Sequence, residues 1–190
     1  GPYATTPTSL AGGFSVTTFS GTWTLQNEWS GHETYLFFAR YAASSYNTDL
    51  WSQDVGDLIS TLPQQNSHFF FASFDSSYHN DMLTMQQRVE NHITTLSPAE
   101  EAHWREHIHY IDQSFWDVSG SLGDVRDDWQ SFYYGIDRFQ RWREVGSLYS
   151  WGTSSNTYQL KSLANEALMY DSEFRAEIRK DDPSITVVTV

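Results

Sequence analysis

The chain has 190 residues, 39% hydrophobic and 16% aromatic, enough apolar mass for one domain with a sizeable core and too much for a disordered chain. Its 11 Lys and Arg stand against 24 Asp and Glu, a formal charge of -13, which argues against nucleic acid and anionic membrane surfaces as partners. The absence of cysteine excludes disulfides, zinc–thiolate sites and thiol catalysis, and no run approaches the roughly 20 apolar residues that cross a bilayer.

Gly1-Pro2 reads as a protease-cleavage remnant, and the chain as a piece of a larger protein. Residues 1–13, rich in Pro, Thr and Gly, read as a flexible lead-in. Phe14 to Phe19 alternates as a strand does, Ser20-Gly21 is a turn, and Thr22 to Leu25 is a second short alternating run. Thr34 to Tyr41 is a continuous apolar run of the kind buried on both faces of a parallel sheet. Asn47 to Leu62 has helical spacing and ends before Pro63. Ser67 to Phe74 is a second buried strand. Asp81 to Leu96 is an amphipathic helix on Met82, Met85, Val89 and Ile93. Ser97-Pro98-Ala99-Glu100 starts another helix with a capping box. His107 to Ile111 is a third strand, and residues 112–128, rich in Gly and Asp, form a loop. Ser131 to Tyr149 is a hairpin turning near Asp137 to Gln140. Gln159 to Lys180 is a long helix, and Ser184 to Val190 a last β-branched run. Strands alternating with helices predict a sheet with parallel strands, covered on both faces.

The segment from Phe14 through Gly21, Leu25, Trp29 and Gly31 to Leu36-Phe37-Phe38-Ala39 resembles the opening of thioredoxin-like proteins of the peroxiredoxin and SCO-type copper-chaperone kind. Gly135-Ile136-Asp137-Arg138, followed by Arg143-Glu144-Val145-Gly146, is similar to the hairpin near the end of such folds. The resemblance implies a single thioredoxin-like domain over 14–190: a three-layer α/β sandwich, its central mixed sheet flanked by helices on both faces. In that family the redox or metal-binding cysteines sit just after the first buried strand. Here that corner reads Tyr41-Ala42-Ala43-Ser44-Ser45-Tyr46, and a serine hydroxyl cannot cycle through a disulfide or a sulfenate. The family's proline beside the cysteines is missing too: the prolines are at 2, 7, 63, 98 and 183. The corner is therefore vestigial, a helix start or a contact patch.

Other constellations have plainer readings. His103, His107 and His109 lie close in sequence, but the run straddles a helix end and a strand, so they read as structural or surface histidines and only weak metal candidates. His79 near Asp75 and Asp81, and Asp124 with Asp127 and Asp128, read as solvated acidic loops, the latter without EF-hand spacing. No Gly-x-Ser-x-Gly nucleophile turn or phosphate-binding loop is present. Trp129, Trp142 and Trp151 are candidates for a peptide- or sugar-binding surface.

The expectation is a non-enzymatic, redox-inactive thioredoxin-like module without a cofactor, acting in binding or scaffolding. Its partners would be neighbouring domains of the same chain or another protein, without nucleic acid or membrane insertion. Few Lys among many Ser, Thr, Trp and Tyr suggest an extracellular or cell-surface setting. The alternatives are a peroxiredoxin-like or copper-chaperone domain whose cysteines have been replaced, and a carbohydrate- or peptide-binding module.

Overall fold

A computed structural model describes residues 9–31, 33–43, 67–129 and 132–146, together with Thr5, Gly56 and Ile59. The predicted helix over 47–62 falls outside this range, except that Gly56 and Ile59 are helical. The helix expected over 159–180 and the run 184–190 lie wholly outside it.

The elements in chain order are β1 (Ser15–Thr18), β2 (Gly21–Thr24), a one-turn α1 (Leu25–Glu28), β3 (Thr34–Arg40), β4 (Ser67–Ser73), α2 (Tyr78–Ile93), α3 (Pro98–His107), β5 (Ile108–Ser114), a 3-10 turn (Phe115–Asp117), α4 (Ser121–Trp129), β6 (Tyr133–Ile136) and β7 (Trp142–Gly146). Among the described residues the strands form one seven-stranded sheet in the order β2-β1-β5-β4-β3-β6-β7. β3, β4 and β5 run parallel, and the flanking pairs are antiparallel. This is the mixed sheet expected from the sequence.

Strand geometry divides the core in two, because successive side chains leave a strand on opposite faces. Leu36 and Phe38 of β3 and Phe69 and Phe71 of β4 point to one face. There they meet Met82, Met85, Val89 and Ile93 of α2 and Trp104 of α3. Tyr35, Phe37 and Ala39, with Phe70 and Ala72, point to the other, against Leu25 of α1 and Leu122 and Val125 of α4. Both faces are covered, so β3 and β4 read as unbroken apolar runs.

The helix starts follow local rules. Ser97 Oγ accepts a hydrogen bond from Glu100 N at 3.4 Å, and Glu100 Oε2 accepts one from Ser97 N at 3.1 Å, closing the predicted capping box. α2 buries Met82, Met85, Val89 and Ile93, the stripe that the spacing predicts.

The expected loop over 112–128 is corrected: β5 runs on to Ser114, and α4 occupies 121–129. Arg126, 6% exposed, donates from Nη1 to the carbonyls of Phe115 and Val118 and so ties α4 to the turn before it. The lead-in also differs from a free segment at its inner end. Ala11 is fully buried, Ala11 N donates to Gln140 O at 2.7 Å, and Trp142 N donates to Ser9 O at 3.0 Å. Gly12 N donates to Ser121 Oγ at 2.9 Å. Residues 9–13 are thus fixed between α4 and the β6–β7 turn.

Candidate functional sites at the two ends of the sheet

The carboxyl ends of parallel strands are where open α/β sheets usually bind ligands. Here Tyr41 follows β3, Phe74 follows β4, Trp116 lies in the 3-10 turn after β5, and Phe132 precedes the antiparallel β6. All four therefore gather at one end. Ring centroids are 4.6 Å apart for Phe74 and Trp116, 6.0 Å for Tyr41 and Phe74, 6.0 Å for Phe74 and Phe132, and 6.2 Å for Tyr41 and Phe132. Trp116 is 52% exposed, while Phe74 beneath it is buried. The Arg126 guanidinium lies 5.9 Å from the Trp116 ring centroid.

Beside this patch an ionic network closes the corner. Arg40 Nη1 reaches Asp75 Oδ2 at 2.6 Å and Asp81 Oδ2 at 2.9 Å. Asp81 Oδ2 also accepts from Ser73 Oγ at 2.7 Å and Ser77 Oγ at 3.1 Å. Ala42 N donates to Asp75 Oδ2 at 2.9 Å. Tyr41, Ala42 and Ala43, from the corner expected to be vestigial, are thereby placed at a turn pinned to the start of α2. Ser44, Ser45 and Tyr46 lie outside the described residues.

The tryptophan surface needs correction. Trp142 is fully buried in the face that α4 covers, so it offers nothing to a ligand. Trp129 ends α4, with its side chain outside the description, and Trp151 is likewise outside. Among the described residues Trp116 is the exposed ring at this end, and it is not one of the tryptophans that the sequence singled out.

At the amino ends of the same strands stands a cluster of a different kind. Glu33 immediately precedes β3, His68 is the second residue of β4, His107 ends α3, and His109 is the second residue of β5. His68 Nε2 is 3.1 Å from Glu33 Oε1, and His68 Nδ1 is 2.9 Å from His109 Nε2. The His107 ring stacks on His68 at 4.6 Å between centroids and on His103 at 4.1 Å. His107 Nδ1 bonds to the carbonyl oxygen of His103 at 2.8 Å. One donor atom each from Glu33, His68 and His107 lies within 4.8 Å of the other two.

Burial sets the charges here. It lowers His68, an effect that Glu33 partly opposes. It pushes His109 down to about 3, helped by repulsion from His68 and His107. Glu33 is raised by burial, but hydrogen bonds from His68 and Ser30 outweigh this and hold it below its ordinary value. Burial thus disfavours charge on His68 and His109, while their neighbour Glu33 is held toward its carboxylate form.

Among the weak metal candidates, His107 joins this cluster as a possible ligand. His109 lies behind His68, and His103 lies beside His107. Sequence reading missed Glu33 and His68, which are remote in the chain and adjacent only through the register Tyr35↔His68 of β3 and β4. The other acidic candidates disperse. His79 Nδ1 pairs with Asp112 Oδ1 at 2.6 Å, Asp127 Oδ1 pairs with Arg126 at 2.8 Å, and Asp128 Oδ2 accepts from Thr5 Oγ1 at 2.6 Å.

No family model and no curated protein matches the sequence. Solved structures do match the fold. The yeast mitochondrial 1-Cys peroxiredoxin aligns over 88% of this chain and 78% of its own, with a TM-score of 0.53 and 16% identity. BsSco, a member of the Sco family of cytochrome c oxidase assembly proteins, aligns over 85% and 95%, with a TM-score of 0.47 and 11% identity. Bradyrhizobium japonicum ScoI, solved with copper bound, aligns over 84% and 99%, with a TM-score of 0.43 and 14% identity. The first of these, together with the two-faced mixed sheet, identifies the architecture: the chain has the thioredoxin-like fold, and has it without a single cysteine.

Proposed function

We propose that this chain is a redox-inactive thioredoxin-like module that binds an extended segment of a partner protein or a neighbouring domain at the carboxyl end of its sheet. The observation that supports this is the replacement at the vestigial corner. The strand end that would present a thiol leads instead into Tyr41, packed with Phe74 and Phe132 under the exposed Trp116. Rigid aromatic rings offer large contact area at small conformational-entropy cost, which suits recognition. Without a thiol, the corner has no group that can carry electrons to a peroxide or hold copper as a thiolate.

Two measurements test this reading. Hydroperoxide consumption in the presence of glutathione or dithiothreitol stays at the protein-free rate. On arrays of random peptides the chain is retained, and retention falls at least tenfold in Trp116→Ala and Tyr41→Ala variants whose circular dichroism is unchanged. Peroxide turnover, or retention by both variants undiminished from that of the parent, would overturn it. Retention on a glycan array alone would move the reading to carbohydrate.

A further inference from the structure

We propose that the amino end of the parallel strands is a site for a divalent transition metal, zinc being the best-suited ion, with Glu33, His68 and His107 as ligands. The site lies at the opposite end of the sheet from the vestigial corner and owes nothing to thiols.

Three observations lead there. The first is spacing. Tetrahedral zinc with bonds of about 2.0–2.1 Å sets its ligand atoms about 3.3 Å apart. Glu33 Oε1 and His68 Nε2 already stand at 3.1 Å. The His107 donor atom lies within 4.8 Å of both, so a small inward turn of that ring completes a three-ligand face. Two imidazoles and a carboxylate, with one position left for water, is a recurrent zinc donor set.

The second is orientation. Metal-bound histidines usually direct their other ring nitrogen at a carbonyl or another polar group, which fixes the ring and its tautomer. His107 Nδ1 donates to His103 O at 2.8 Å, leaving Nε2 as the nitrogen with the free lone pair. His68 Nδ1 faces His109 Nε2 at 2.9 Å. With an ion on His68 Nε2, Nδ1–H donates to His109, and both rings stay neutral. Glu33 is steered likewise: Ser30 Oγ donates to its Oε2 at 2.9 Å, and Tyr35 OH lies 3.1 Å from the same oxygen, which leaves Oε1 facing the cluster.

The third is an orphaned atom. His103 Nε2 is shielded from solvent and has no hydrogen-bond partner among the described residues, although its ring stacks on His107 at 4.1 Å. An unpaired buried nitrogen costs free energy. Water brought in by an ion on the neighbouring His107 is a source of the missing partner. In the ion-free cluster His68 Nε2 pairs with Glu33 Oε1 at 3.1 Å, and an ion between them takes the place of that bond and adds His107 as a ligand.

The test uses the whole chain, stripped with EDTA and exchanged into chelator-free buffer. Isothermal titration with zinc chloride gives one equivalent bound, and cobalt(II) gives the visible bands of a tetrahedral nitrogen–oxygen site. Glu33→Gln, which keeps the side chain's shape and most hydrogen bonding, loses saturable binding, as do His68→Ala and His107→Ala. His109→Asn, altered only behind His68, binds about 10- to 100-fold more weakly. His92→Ala, on α2, binds as the parent does. Zinc raises the melting temperature of the parent but not that of Glu33→Gln, which separates lost binding from lost folding. Failure of the parent to bind one equivalent, or undiminished binding by a folded Glu33→Gln variant, would refute the site.

Discussion

Asp137 is 1% exposed, and its Oδ1 accepts from Phe139 N at 2.8 Å and Arg141 N at 2.9 Å. One carboxylate oxygen thus supplies the partner for two backbone donors across the β6–β7 turn, where Gln140 adopts φ 60°. That backbone position is uncommon outside glycine and needs support from its surroundings. Replacing Asp137 by Ala leaves both N–H groups without their partner at a cost of about 1–3 kcal/mol. The expected outcome is a lower urea midpoint with an unchanged slope, and partial recovery in Asp137→Asn, whose side-chain oxygen still accepts. An Ala variant as stable as the parent would show that water serves these donors equally well.

At the scale of elements, Gly120 sets the start of α4. It sits at φ +74°, and a Cβ there would stand 2.4 Å from Gly13 O, a backbone atom with little freedom to yield. Gly120→Ala therefore combines a disfavoured left-handed conformation with a clash, and is expected to lose about 1–3 kcal/mol. Hydrogen exchange would show the loss first at Ser121, whose N–H bonds Gly13 O at 3.1 Å.

The same stretch explains which elements could be read from the sequence. β3, β4 and α2 announce themselves because each repeats one pattern over seven or more residues. The capping box of Ser97 and Glu100 is a local code, readable without its surroundings. α4 is not legible in this way. It buries Leu122 and Val125 but is surrounded by Gly and Asp, and its anchor is Arg126, a charged residue bonded to carbonyls that belong to another turn. The histidine cluster was half legible. His103, His107 and His109 are neighbours in the chain, whereas Glu33 and His68 join them only through parallel pairing. The aromatic corner was legible at Tyr41 and hidden at Trp116.

For the whole molecule, the decisive feature is that the parallel strands have two furnished ends and two covered faces. The aromatic corner and the histidine cluster share β4 itself, with His68 near one end and Phe74 just beyond the other. Six residue steps of extended chain separate them, about 20 Å at roughly 3.3 Å per step. Electrostatic influence between exposed charges fades over about 8 Å at physiological ionic strength. Nothing held at one end should be felt, through space, at the other. Peptide retention is accordingly expected to be the same, within twofold, for zinc-loaded and chelated protein, a comparison that surface plasmon resonance makes directly. A larger change would mean that the sheet transmits what it was expected to insulate. If it insulates, a single rigid strand becomes a bracket of fixed length: one molecule can hold an ion and a polypeptide at once, at a set separation, with neither tuning the grip on the other.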